Sequence, residues 1–204
     1  MVKRYYNLKV DIPKAEIYKR IGLKDIDQVN IKKIEEIDNL IEQSFNRCDL
    51  KACYKKMKVT SNKNGIILLD NRIEFVSNNF SVYVGEREEL FLLSATVGDE
   101  ITKYRDQFIS RDETLSAIVA DAVGSETVEA GIDLFQSILE KDLNREGKSL
   151  KKSRYSVGYG DFDIKNQKII YNELELAKLG IKITDSNMLY PEKTITAFSV
   201  ILTF

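Results

Sequence analysis

Apolar positions spaced three and four apart predict an amphipathic helix over residues 29–45, where Ile31, Ile34, Ile37, Leu40, Ile41 and Phe45 form one stripe. Lys32, Lys33, Glu35, Glu36 and Asp38 occupy the opposite, wet face. Upstream, residues 5–12 alternate loosely and predict a strand closed by Pro13, followed by a short helix over 14–21 that stops at Gly22. Residues 51–60 alternate as a half-exposed strand, and Asn62-Lys63-Asn64-Gly65 is a turn signal leading into a strand at 66–69. Another strand is expected around Ile73, Phe75 and Val76, whereas 77–86 fits neither period. Residues 89–97 form an apolar run of strand length, expected at the centre of a sheet.

Helical spacing returns over 99–109 and 113–123. Gly124-Ser125 is read as a break, with Ser125 capping a new helix that runs to about Gly147 along Val128, Ile132, Phe135, Leu139 and Leu143. Residues 167–179 predict a helix stopped by Gly180, and strands are expected at 181–184 and 194–204, separated by Pro191. Strands at both ends with helices between, and no regular βαβ alternation, favour an α+β fold with a largely antiparallel sheet. No repeat or linker divides the chain, so residues 1–204 are expected to form a single domain.

Charge narrows the function classes. The 31 basic and 32 acidic residues leave a formal net charge of −1, so no global field favours nucleic acid or an anionic membrane. The longest basic cluster, 148–154, reads as a solvated loop before it reads as an anion site. The first residues lack an apolar leader core and no run is long enough to span a bilayer, which points to the cytoplasm. Cys48 and Cys53, with four residues between them and no histidine anywhere, make a poor zinc site and are expected as free thiols. The missing histidine also excludes Ser-His-Asp and Cys-His catalysis from this chain alone.

The densest chemistry is Arg154-Tyr155-Ser156-Val157-Gly158-Tyr159-Gly160-Asp161. A guanidinium offers a planar fork to a carboxylate or phosphate, tyrosines offer flat faces and hydroxyls, and two glycines permit positive φ or a close ligand. A turn between strand and helix explains the glycines equally well. Arg154 could instead make a surface ion pair, Tyr159 could be packing, and Asp161 could be a turn residue. Asp121, Glu126 and Glu129 are explained most simply by charge at a helix N-terminus and exposure to solvent.

Four segments in this order and spacing carry a resemblance: 94–98 (Ser-Ala-Thr-Val-Gly), 120–129, 154–161, and 184–197 with its Met188-Leu189-Tyr190-Pro191 core. Over nearly its whole length, including 17–22, the chain resembles the activation domain of cobalamin-dependent methionine synthase, most closely its stand-alone form. The resemblance implies a twisted antiparallel sheet flanked by helices and a shallow groove for S-adenosylmethionine. It implies cobalamin on a partner, either a corrinoid-binding methyltransferase or a methionine synthase subunit, and a one-electron donor such as flavodoxin or ferredoxin. The family's arginine-glycine-tyrosine motif falls on Arg154, Gly158 and Tyr159. The main chain along the ligand falls on Gly160 and Asp161, and the last-strand contact on Ser199 and Val200. No residue of this chain is assigned a catalytic or metal-binding role, and whether it counts as an enzyme by itself is left open.

Some residues depart from the family pattern. Gly160-Asp161-Phe162 replaces an Ala-Cys-Pro run, Val157 stands where stand-alone relatives usually have proline, and Ser199 stands where a tyrosine is expected. They motivate an alternative, a non-catalytic module that docks to a corrinoid protein or methyltransferase. A carboxylate-based hydrolase or unrelated transferase has no paired-acid motif to support it.

Overall fold

The computed structural model describes residues 1–23 and 30–203. A seven-stranded, wholly antiparallel sheet is its spine, with helices on both faces. Its strands are β1 (Lys3–Tyr5), β2 (Lys51–Lys63), β3 (Ile66–Leu69), β4 (Ile73–Val76), β5 (Glu89–Thr96), β6 (Lys148–Leu150) and, last in the chain, β9 (Thr194–Thr203). They run in the order β4-β3-β2-β5-β9-β6, with β1 added alongside β2. A two-stranded sheet pairs β7 (Lys182–Ile183) with β8 (Leu189–Tyr190). This is the α+β, antiparallel architecture expected from the sequence.

The apolar run at 89–97 becomes the central strand because it is buried on both faces. Leu90 and Leu92 enter the core shared with α3 (Asn78–Val84) and α6 (Gln167–Glu173). Phe91, Leu93 and Ala95 enter the core shared with α4 (Glu100–Ile109) and α5 (Thr114–Asn144). A third cluster joins α1 (Lys14–Arg20) and α2 (Ile31–Phe45) to α5 through Ile17, Ile37, Ile41, Val119 and Val123. Two expected ends fall on residues outside the description, Val29 of the second helix and Phe204 of the last strand. Among the described residues, no helix is long and apolar enough to cross a membrane.

Several expectations are corrected. The strand expected over 5–12 is not formed: β1 covers Lys3–Tyr5 and shares only Tyr5 with it, and Leu8 and Val10 pack as loop residues against the helical-face core. The expected break at Gly124-Ser125 does not exist: α5 runs unbroken for 31 residues. Gly124 is there for proximity, because a Cβ at that position would lie 3.2 Å from Ile101 Cγ1 and 3.1 Å from Lys193 Cγ. Segment 77–86, unreadable by period, holds α3, started by the Ser77 side chain accepting from Phe80 N at 2.9 Å. The helix expected over 167–179 ends at Glu173, and left-handed Glu175 (φ 50°) turns the chain into a short 3-10 segment at Leu176–Leu179. Lys148–Leu150 is the edge strand β6 rather than a loop, and Lys148 pairs with Glu89 at 2.9 Å.

Candidate functional site

Residues 153–162 are pinned by what they bury. Tyr155 exchanges backbone hydrogen bonds with Phe198 of β9 at 3.0 and 2.7 Å. Phe162 is 1% exposed and stacks on Phe80 of α3, ring centres 4.7 Å apart. Val157 is buried in the same core. Between these anchors the chain reverses, with Gly158 N donating to Phe162 O at 2.7 Å and Phe162 N to Tyr159 O at 3.0 Å. Gly158 (φ 85°) and Gly160 (φ 58°) supply the left-handed conformations that this reversal needs.

Arg154 faces inward. It is 19% exposed, and its Nη1 donates to Asp133 Oδ1 at 2.5 Å and to Gln136 Oε1 at 3.1 Å, while Nη2 donates to Glu129 Oε2 at 3.2 Å. All three acceptors lie along α5. Gln136, itself buried, donates from Nε2 to Lys151 O at 3.0 Å, which fixes its oxygen toward the guanidinium. Arg154 thus makes the ion pairs that the alternative reading offers, to acids that are 49% and 67% exposed, while its own side chain stays mostly covered.

Arg154 borders a groove with two lobes. The first, about 380 Å³, is lined by Arg154, Glu129, Asp133, Lys152, Tyr155 and Tyr159, among others. The second, about 250 Å³, is lined by Gln167, Asn187, Met188, Thr194 and Thr196, among others. Glu129, Ser156, Tyr159 and Ile195 line both, so the two hollows are neighbours. The first alone falls within the size range of a small-molecule site. Burial pushes the Glu129 carboxyl above its ordinary value, Asp133 and Glu126 add to the shift, and Arg154 only partly opposes it.

The sequence-predicted residues divide. Arg154 and Tyr159 line the groove, whereas Gly158, Gly160 and Asp161 form the turn that carries Tyr159 and are not among the lining residues, with Asn79 filling the space beside Gly160. The Tyr159 ring is 69% exposed, which rules out plain packing. The Asp161 side chain has a structural use: it accepts from Ser77 Oγ at 2.5 Å, Asn78 N at 2.7 Å and Asn79 N at 3.2 Å, over the start of α3. Ser199 and Val200 do not join the groove. Both are fully buried in β9, paired with Phe91 and Leu90 of β5, too deep in the sheet to meet a ligand there.

Reading Asp121, Glu126 and Glu129 as helix-terminal charge is also corrected. All three lie inside α5, where Asp121 pairs with Arg105 and Lys193, Glu126 with Arg20, and Glu129 with Arg154. Asp133, Gln167 and Ile195 are among the groove residues that sequence reasoning missed, and Glu129 was weighed there only as helix charge. Only the spacing of Glu129 and Asp133, one helical turn apart, offered a signal. A larger cavity of about 550 Å³ lies between α4 and the first half of α5. Its two arginines are paired within the chain, Arg20 with Glu126 and Arg105 with Asp121 and Glu192, as Arg154 is with Glu129 and Asp133.

Fold and groove together define a class: an α+β protein with an antiparallel sheet and a small-molecule cleft between its longest helix and its last strand. The chain has the fold of the MetH reactivation domain. It superposes on the crystal structure of that domain bound to AdoHcy with a TM-score of 0.65, covering 98% of this chain and 78% of the other at 14% identity. No sequence-family model matches the chain, and no curated protein does.

Proposed function

We propose that this chain binds S-adenosylmethionine in the two-lobed groove and acts as the reactivation component of a cobalamin-dependent methyltransferase, methionine synthase or a related corrinoid protein. On this reading residues 1–204 work as one domain in the cytoplasm, in methionine biosynthesis or a neighbouring one-carbon reaction. The cobalamin rides on the partner, and flavodoxin or ferredoxin delivers the electron. The observation that carries the proposal is Arg154, a pre-aimed guanidinium inside a ligand-sized groove, on a fold shared with a domain that binds AdoHcy.

When bound, S-adenosylmethionine supplies an electrophilic methyl group on a sulfonium. The protein supplies position, a proximity contribution that asks for no histidine. Arg154 offers its fork to the ligand carboxylate, a charge-assisted contact. Glu129 and Asp133, which hold that fork in the free protein, remain beside it to accept from an α-ammonium and to face a cationic sulfur. Tyr159 presents an exposed ring, carried on the turn that Gly158 and Gly160 make.

Calorimetry with S-adenosylmethionine and AdoHcy tests this. Arg154→Ala is expected to weaken binding at least tenfold while the protein stays folded, because its partner acids are 49% and 67% exposed and rehydrate readily. Arg154→Lys keeps the charge, loses the fork and recovers only part of the affinity. Equal binding by wild type and Arg154→Ala overturns the assignment.

One observation favours a second reading, a non-catalytic docking module: every acceptor around Arg154 comes from the chain itself, so the fork is already satisfied. Capture of a corrinoid protein by a chain that binds no AdoHcy would select it.

A further inference from the structure

We infer that Asp133 is a specificity-determining residue of the groove: it occupies the Arg154 fork in the free protein and so favours ligands that carry an ammonium beside their carboxylate. The inference deepens the proposed reading of the groove and rests on it. A guanidinium has five N–H donors. Nη1 of Arg154 donates to Asp133 Oδ1 at 2.5 Å and to Gln136 Oε1 at 3.1 Å, and Nη2 donates to Glu129 Oε2 at 3.2 Å. Both terminal nitrogens therefore already meet carboxylates of the chain. A third carboxylate drawn to the same cation is repelled by the two in place.

The lining of this lobe carries two cations, Arg154 and Lys152, and two carboxylates, Glu129 and Asp133. A ligand with a carboxylate alone must take an acid off the guanidinium and gives that acid nothing in return. A ligand with an ammonium alone meets acids that already have a partner. A zwitterion exchanges partners: its carboxylate takes the fork, its ammonium takes the displaced acid, and every charge stays paired. Asp133 is the acid suited to move. Its side chain is 67% exposed, against 49% for Glu129, so it turns away from the fork with little change in its hydration.

Asp133→Asn removes the charge and keeps the shape, at a position exposed enough to leave the fold intact. The probes are two analogues of AdoHcy, one without its α-amino group and one without its α-carboxylate, each read by displacement of bound AdoHcy in a calorimeter. Wild type is expected to bind both more weakly than AdoHcy. The substitution is expected to tighten the analogue that keeps the carboxylate and to loosen the one that keeps the ammonium, each by up to about fivefold, the most that a part-exposed ion pair contributes. General damage to the groove weakens both analogues together and cannot produce opposite signs. Shifts of the same sign, or no shift with either analogue, overturn the inference and leave the groove reading intact. Asp133→Glu keeps the charge and is expected to stay near wild type with both analogues; a glutamate variant that behaves like the asparagine one also overturns it. Wild type that does not bind AdoHcy refutes the groove reading itself, a separate outcome that takes the inference with it.

Discussion

Replacing Gly131 by alanine tests how closely α5 must seat for the groove to form. A methyl group on Gly131 would fall 2.4 Å from Leu50 Cδ1 and 2.8 Å from Cδ2. Leu50 is 4% exposed and packed in the cluster that contains Val128, Ile132 and Phe135, so it cannot swing aside into solvent. Overpacking of this kind costs about 1–3 kcal/mol. Alanine returns about 1 kcal/mol through helix propensity, which leaves a net destabilisation of roughly 1 kcal/mol. Leu50→Ala alone is expected to cost about 2–5 kcal/mol. In the double variant the new methyl group enters the space that leucine vacates, so the two changes offset each other by ~1–3 kcal/mol.

Urea unfolding followed by circular dichroism reads all four corners of this cycle, provided that the m-values agree. Glu129 and Asp133 flank Gly131 on α5 and hold Arg154, so Gly131→Ala also lowers AdoHcy affinity, and the double variant recovers it. Additivity of the two substitutions to within about 0.5 kcal/mol, or a Gly131→Ala protein more stable than wild type, would refute the reasoning.

Two further expectations come from individual groups. The Asp161 carboxyl is held below its ordinary 3.8, first by the Ser77 hydroxyl and then by the Asn78 and Asn79 amides. A depressed carboxyl stabilises the fold above its unfolded pKa and loses that contribution as pH falls through the lower folded value. Asp161→Ala should therefore lower the melting temperature at pH 7 and flatten its decline below pH 3.8, a comparison that scanning calorimetry provides; parallel acid limbs would contradict it. Burial pushes the thiols of Cys48 and Cys53 up to about 12. Neither should be alkylated by iodoacetamide at pH 8 in the native protein, and both should react in urea; mass spectrometry that finds native labelling at either would contradict this.

Periodicity made much of the framework legible. The alternating stretch became β2 and the greasy stripe at 31–45 became α2, because one-sided burial writes its period into the chain, and the apolar run became β5 because it is buried on both faces. It failed where a residue answers to a distant neighbour. Gly124 and Ser125 look like a helix break, yet Gly124 admits Ile101 and Ser125 Oγ accepts from Lys193 at 3.0 Å, neither visible from local spacing. Segment 77–86 hid α3 because part of its N-terminal cap is Asp161, more than eighty residues away. The Arg154 motif was legible, but its partners Asp133 and Gln136 were not, since nothing local says which face of α5 looks toward residue 154. Ser199 and Val200 were placed by alignment to a family position, and alignment carries no information about depth in the sheet.

The unbroken course of α5 has a mechanical corollary. At roughly 1.5 Å per residue, its 31 residues span about 46 Å. The first half borders the Arg20–Arg105 hollow, and the middle carries the acids that grip Arg154. A peptide ladder with no missing rung has no joint at which these stations could bend independently. One continuous backbone therefore lines the hollow and carries the acids that hold the guanidinium.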